Sequence, residues 1–289
     1  MIQIPPKYKG IVYIILSALS FAFMNAFVRL SGDLPSIQKS FFRNLVACIF
    51  AFCMLKRQGV GFSMHPGCLK TLLMRSIFGT IGILCNFYAV DHLVLSDASM
   101  LNKMSPFFAI LFSYLLLKEK LNPAQGVAVI VAFIGSLFII KPTFTNLELF
   151  PSLIGLLGGL GAGAAYTCVR KLGQMGERGA FVVFFFSTFS CLVTLPFLIF
   201  DYHPMSLLQV ITLLGAGLAA AGGQFSITAA YFYAPAREIS VFDYSQIIFA
   251  AALGFFLFGQ IPDGWSVIGY VMICSMGVWM FLRNRKNPA

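Results

Sequence analysis

Residues 96–117 read SDASMLNKMSPFFAILFSYLLL. As an α-helix, twenty-two residues rise about 33 Å at ~1.5 Å each, enough to cross the ~30 Å hydrocarbon core of a bilayer. A membrane-spanning strand would alternate apolar and polar residues over ~10 positions, and this run does not. Phe107–Leu117 is almost wholly apolar, yet Asn102-Lys103-Met104-Ser105 puts polar groups near the middle and Pro106 follows. A lysine at a helix centre costs ~2.5–3.5 kcal/mol on insertion scales, and such a residue faces inward or snorkels. The stretch reads as a membrane helix with a polar centre.

Nine further apolar runs flank it, at about 11–30, 40–55, 69–90, 123–140, 152–170, 180–200, 206–232, 237–258 and 264–282. Breakers separate them, among them His65-Pro66-Gly67, Lys141-Pro142, His203-Pro204 and Ile261-Pro262-Asp263-Gly264. Of the 289 residues, 59% are hydrophobic and only 10% charged. Soluble domains carry roughly 25% charge, so a water-soluble enzyme, a disordered chain and a disulfide scaffold are all excluded. The ten runs leave no room for a second, soluble domain. The net charge of +10 forms no basic stripe and reads as the positive-inside bias of a membrane protein, not as a nucleic-acid surface.

With a cytoplasmic N-terminus, the inner segments hold 15 Lys and Arg, Arg75 among them. The outer segments hold three, Arg29, Lys39 and Lys141, while Arg43 and Lys103 fall within spans. The bias predicts both termini in the cytoplasm. A shift of 141 residues brings Val28-Arg29 onto Val169-Arg170, Gly82 onto Gly223, Phe108-Ala109 onto Phe249-Ala250 and Ser17-Ala18-Leu19-Ser20 onto Gly158-Gly159-Leu160-Gly161. Each half holds five runs, an odd number, so the second copy sits inverted in the membrane. The fold expected is an all-α membrane protein of ten transmembrane helices, built as two inverted five-helix repeats.

The segments Leu73-Met74-Arg75-Ser76-Ile77-Phe78-Gly79, Asn86-Phe87-Tyr88-Ala89, Leu95-Ser96-Asp97-Ala98 and Ser105-Pro106, with Leu117-Lys118-Glu119-Lys120 after them, resemble the first repeat of EamA-type carriers of the drug/metabolite transporter superfamily. Arg43 in Phe42-Arg43-Asn44 matches an arginine such carriers often have in their second helix. The resemblance covers 10–141 and 151–283 as two EamA-like five-helix repeats. It implies ten helices, a central cavity and transport of small metabolites, a class in which amino acids, nucleotide sugars and organic acids all occur. The second repeat departs from the pattern, with Ile247 at the Pro106 position and Gln260 at the Glu119 position.

The shift of 141 also sets Asn102-Lys103-Met104-Ser105 on Asp243-Tyr244-Ser245-Gln246. Polar groups recur at the same position along two apolar runs, which favours a cavity lining over chance. Lys103, Asn102, Asp243, Tyr244 and Gln246 are therefore candidate substrate contacts, with Tyr88 and Tyr166 as polar-aromatic ones. Arg43, about four residues into its run, either snorkels to the outer interface or reaches the interior. Counting the helical rise from the run ends sets Lys103 ~10 Å below the outer end and Asp243 ~9 Å above the inner end. That separation predicts two charges serving opposite ends of a substrate, not one salt bridge. Gly155, Gly159 and Gly163 make successive G-x-x-x-G steps, read as close helix packing within the chain. Pro106 frees the carbonyl of Asn102.

No phosphate-binding loop, G-x-S-x-G or H-E-x-x-H occurs, so neither ATP-driven pumping nor an obvious hydrolase is expected. The seven scattered cysteines read as small apolar filler, and the three histidines fall in separate loops. The expectation is a secondary carrier of an amino-acid-like or organic-anion metabolite, working by alternating access, with a coupled proton or cation. It would need no cofactor, metal or nucleic acid, and would sit in a bacterial inner membrane as monomer or homodimer. A non-transporting scaffold or sensor stays open as the alternative; its polar residues would pack without a cavity.

Overall fold

The structure, a computed structural model, describes residues 6–59, 61–117, 123–141, 148–233 and 242–286. Among these there are eleven helices and no strand. In chain order they are α1 (Pro6–Leu30), α2 (Ser36–Arg57), α3 (Leu69–His92), α4 (Leu95–Asn102), α5 (Ser105–Leu117), α6 (Pro123–Ile140), α7 (Leu149–Gln174), α8 (Gly179–Phe200), α9 (Leu207–Tyr233), α10 (Ser245–Phe258) and α11 (Gly264–Lys286). Seven are long and apolar enough to cross a membrane, namely α1, α2, α3, α7, α8, α9 and α11.

The run 96–117 is not one helix. It breaks at Lys103-Met104 into α4 and α5. Pro106 cannot donate a backbone N–H, and the chain turns through short bonds, Met104 N–H to Leu101 O and Phe107 N–H to Met104 O. A second break falls at Tyr244, just before α10, where the Ile247 N–H bonds to Tyr244 O. Ile247 stands where a proline was expected, so this break forms without one.

The bundle is built on close pairs: α1 against α9, α3 against α7, α2 against α8 and α6 against α11. Glycine permits the first two. Gly158 of α7 meets Gly82 of α3 backbone to backbone, with a Cβ at Gly158 only 3.2 Å from the Gly82 carbonyl. Across the bundle, Ser17 of α1 donates to the Gly223 carbonyl of α9 at 2.9 Å. The G-x-x-x-G stripe faces inward, as expected. Gly155 meets Ala89 and Leu101, Gly159 lies on the Leu101 and Asn102 carbonyls, and Gly163 lies on Ser105. The stripe is the seat of the broken helix. Outward-facing side chains are large and apolar, such as Phe200 and Phe256, 88% and 80% exposed. They form the apolar exterior that lipid requires.

The connections meet at two ends. At one, Gln38 donates to His203 O, Gln209 to Ser31 O, and Lys141 pairs with Asp263 at 2.6 Å. Gln260 Oε1 there accepts the Leu95 N–H at 3.0 Å, capping α4. Its first-repeat counterpart, Glu119, lies outside the described residues. At the other end, Glu177 accepts the His65 N–H, and Arg178 donates to Gly61 O and Ser63 O.

Candidate functional site

The two breaks lie beside a cavity of about 70 Å³ in the middle of the bundle. Asn102, Lys103 and Gln246 reach it from the breaks, Tyr166 from α7 and Arg43 from α2. These five sequence candidates come together. Arg43 is 2% exposed, which decides the choice left open for it: the side chain points inward and does not snorkel. Its Nη1 donates to Asn44 Oδ1 at 2.6 Å.

Two candidates stand apart. Tyr88 stacks on His92 at 4.1 Å and meets the edge of Phe150, at the far end of α3, and does not line the cavity. Tyr244 is buried behind the wall, against Phe107 and Gly277.

Lys103 and Asp243 form a salt bridge, Nζ to Oδ2 at 2.6 Å, with side chains 3% and 4% exposed. This corrects the expectation that the two act at separate depths. That expectation counted a steady rise along unbroken helices. One run breaks at Lys103 and the other at Tyr244, next to Asp243, α4 packs directly on α10, and a lysine stem spans several ångströms of depth. The remaining oxygen, Asp243 Oδ1, is buried without a hydrogen bond.

Arg75 was expected among the inner-segment charges. It lies inside α3, 3% exposed, with its guanidinium carbon 3.7 Å from the centre of the Phe186 ring. Gly79 makes this possible, since a Cβ there would run into both the guanidinium and the ring. Asn86, one of the expected family's motif residues, also lines the cavity. Its amide donates to Asn25 Oδ1 at 3.1 Å. Asn25 and Gln224 complete the polar wall. The sequence carried a signal for this group. Arg75, Gly79, Gly82 and Asn86 follow one helical stripe, and Asn25 and Gln224 are polar residues in mid-run. The mid-run reasoning applied to Lys103 extends to Asn25 and Gln224.

Other outer charges also turn inward. Lys39 of α2 is fully buried and pairs with Asp91 at 2.7 Å. Arg29, counted among the outer-segment charges, donates to the Val90 and Leu93 carbonyls and so caps α3.

Residues 8–141 match the EamA-like transporter family. The pseudopaline exporter of Pseudomonas aeruginosa is 32% identical over 268 residues, covering 92% of this chain and 93% of its own. The chain belongs to the EamA-like transporter family. Within it, the riboflavin transporter of Vibrio cholerae is 27% identical over 274 residues, 92% of this chain and 90% of its own. A solved crystal structure shares the fold with a TM-score of 0.69, covering 98% of this chain and 99% of its own at 14% identity. The EamA-like chain is thus a multi-pass integral membrane protein, and its named relatives are transporters, not enzymes.

Proposed function

We propose that this chain is a secondary active transporter that moves a small metabolite, amino-acid-like or an organic anion, by alternating access. The observation that carries the reading is the central cavity, polar and cationic, walled by two helices that break beside it. Irregular backbone inside a membrane protein is tolerated where it lines a cavity, and discontinuous helices are a recurrent way of building a carrier's site. A scaffold would pack the same polar residues without a cavity. At about 70 Å³ the space is far below the ~300–1,000 Å³ of ordinary ligand pockets. It fits a contracted state that must open to load.

Ten crossings follow when α4 and α5 count as one span and α6 and α10 each count as another. Every loop contact described above then joins loops on one side of the membrane. The helix pairs support the inverted repeat. The shift of 141 exchanges α1 with α7 and α3 with α9, so it turns the α1–α9 pair into the α7–α3 pair. It also turns the Ser17–Gly223 contact into the Gly158–Gly82 contact. Exchange of contacts between two halves is the geometry by which inverted repeats swap inward- and outward-open states. In this reading repeats 10–141 and 151–283 rock about the cavity, both termini are cytoplasmic, and the bacterial relatives point to the inner membrane. Coupling to a proton or cation would supply the driving force.

The test is counterflow in vesicles holding the purified chain, screened against pooled metabolites with and without a proton gradient. Saturable exchange of one pool supports the reading. Exchange no faster than in protein-free vesicles for every pool would sink it and favour the scaffold.

A further inference from the structure

We propose that the cavity takes a small organic dianion, its two negative charges matched by Arg43 and Arg75; this deepens the carrier reading and rests on it. Three cations line the cavity, Arg43, Arg75 and Lys103, and no acidic residue does. Lys103 is already neutralised by Asp243. Among the described residues, neither arginine has a carboxylate partner.

The two guanidiniums converge on one ring. Their central carbons lie 3.7 Å (Arg75) and 5.9 Å (Arg43) from the centre of Phe186. The Nε atoms of both are buried without a hydrogen bond. Arg43 spends one donor on the neutral amide of Asn44. Stacking on an aromatic face returns less than the cost of taking an ion out of water. The ring holds the arginines without compensating them, and leaves their planar N–H edges for a ligand.

Those edges form the fork that fits carboxylate or phosphate oxygens in pairs. Because both sit on one ring beside a small cavity, one compact molecule can meet them together. A zwitterion fits less well. Its amine would need a free carboxylate, and the charge of Asp243 is spent on Lys103. The cavity therefore favours the organic-anion arm of the functional reading over the amino-acid-like one. The dianion is either a dicarboxylate or a phosphate-bearing molecule, which share this chemistry.

The full chain in detergent tests it, by thermal-shift titration at fixed ionic strength and pH 7.5. The probes are three- to five-carbon dicarboxylates, their monoamides, their diamides, and inorganic phosphate. At least one dicarboxylate or phosphate should stabilise saturably, at least tenfold more tightly than the matched monoamide, with the diamide inert. Preference between dicarboxylate and phosphate names the source. Arg43→Gln and Arg75→Gln should each cut the preference to less than twofold. Arg75→Lys should keep part of it, which separates lost charge from lost folding. No saturable dianion binding, a monoamide binding equally well, or a preference untouched by both Gln variants would overturn the proposal. Failure of the carrier reading looks different: the dianion binds but shows no counterflow. Counterflow of an amine or neutral metabolite without dianion binding would instead keep the carrier and overturn the dianion.

Discussion

Lys103 and Asp243 neutralise each other where water is scarce, and the cost of separating them follows. Removing one partner of a buried pair leaves a bare charge and costs ~3–5 kcal/mol. Removing both is often near neutral. Lys103→Met and Asp243→Asn should therefore each lower the unfolding midpoint and abolish uptake. Lys103→Met with Asp243→Leu should recover most of the midpoint, and so should the swap Lys103→Asp with Asp243→Lys. Midpoints in detergent for the four variants decide it. Single variants that unfold like the parent would mean that water reaches the pair. At this scale the sequence announced Lys103, because a lysine in mid-run has few explanations. It could not announce the partner, since depth counted along a continuous helix fails where the helix stops. Arg75 escaped for another reason: six residues into its helix, it looked like one more interfacial cation.

Broken helix α4–α5 depends on a neighbour with no side chain in the way. A Cβ at Gly159 would press on the carbonyls of Leu101 and Asn102, and overpacking of this kind costs ~1–3 kcal/mol. Gly126 in α6 has nothing within 4 Å of a Cβ, and helix propensity there favours alanine by ~1 kcal/mol. Gly159→Ala should thus lower the unfolding midpoint and Gly126→Ala raise it, although the two substitutions are identical on paper. Midpoints moving together would show that the stripe is loosely seated. A weaker tie joins the elements at the surface. Partial burial pushes the Asp263 carboxyl up, but hydrogen bonds from Lys141 and from the Ser266 N–H outweigh it, leaving the group below the ordinary carboxylate range. A lowered folded value means stabilisation that is present above the ordinary carboxylate range and lost as pH falls through the folded value. Both side chains are well exposed, so the effect is small. The midpoint difference between parent and Asp263→Asn at pH 7 should shrink by pH 3; a constant difference would exclude the charge. Run lengths and breakers set most helix ends within a few residues. The break before α10 was illegible, because no proline marks it.

Across the whole molecule, the loop contacts group the connections as the proposed ten crossings require, and the positive-inside bias in the sequence supplies the orientation of that proposal. Impermeant maleimide on right-side-out vesicles should label a cysteine introduced at His203 and miss one at Ser63 until the membrane is opened. Equal labelling of both would break the ten-crossing count. The proposed repeat rests, in sequence, on scattered matches at one shift. What the shift could not reveal is that the matched residues touch in matching ways, Ser17 on Gly223 and Gly158 on Gly82. Arg43 and Arg75, lacking fixed counter-charges, have one more consequence. Carrying a unit charge through the full membrane voltage is worth ~2.3 kcal/mol per 100 mV, so two amount to about 5 kcal/mol at the limit. In a carrier that turns its site from one face to the other, the empty molecule becomes a voltmeter and the dianion-loaded one does not. Voltage steps on ligand-free membranes should evoke transient displacement currents that fade as dianion fills the site. Transients indifferent to dianion would mean that these arginines do not travel through the field.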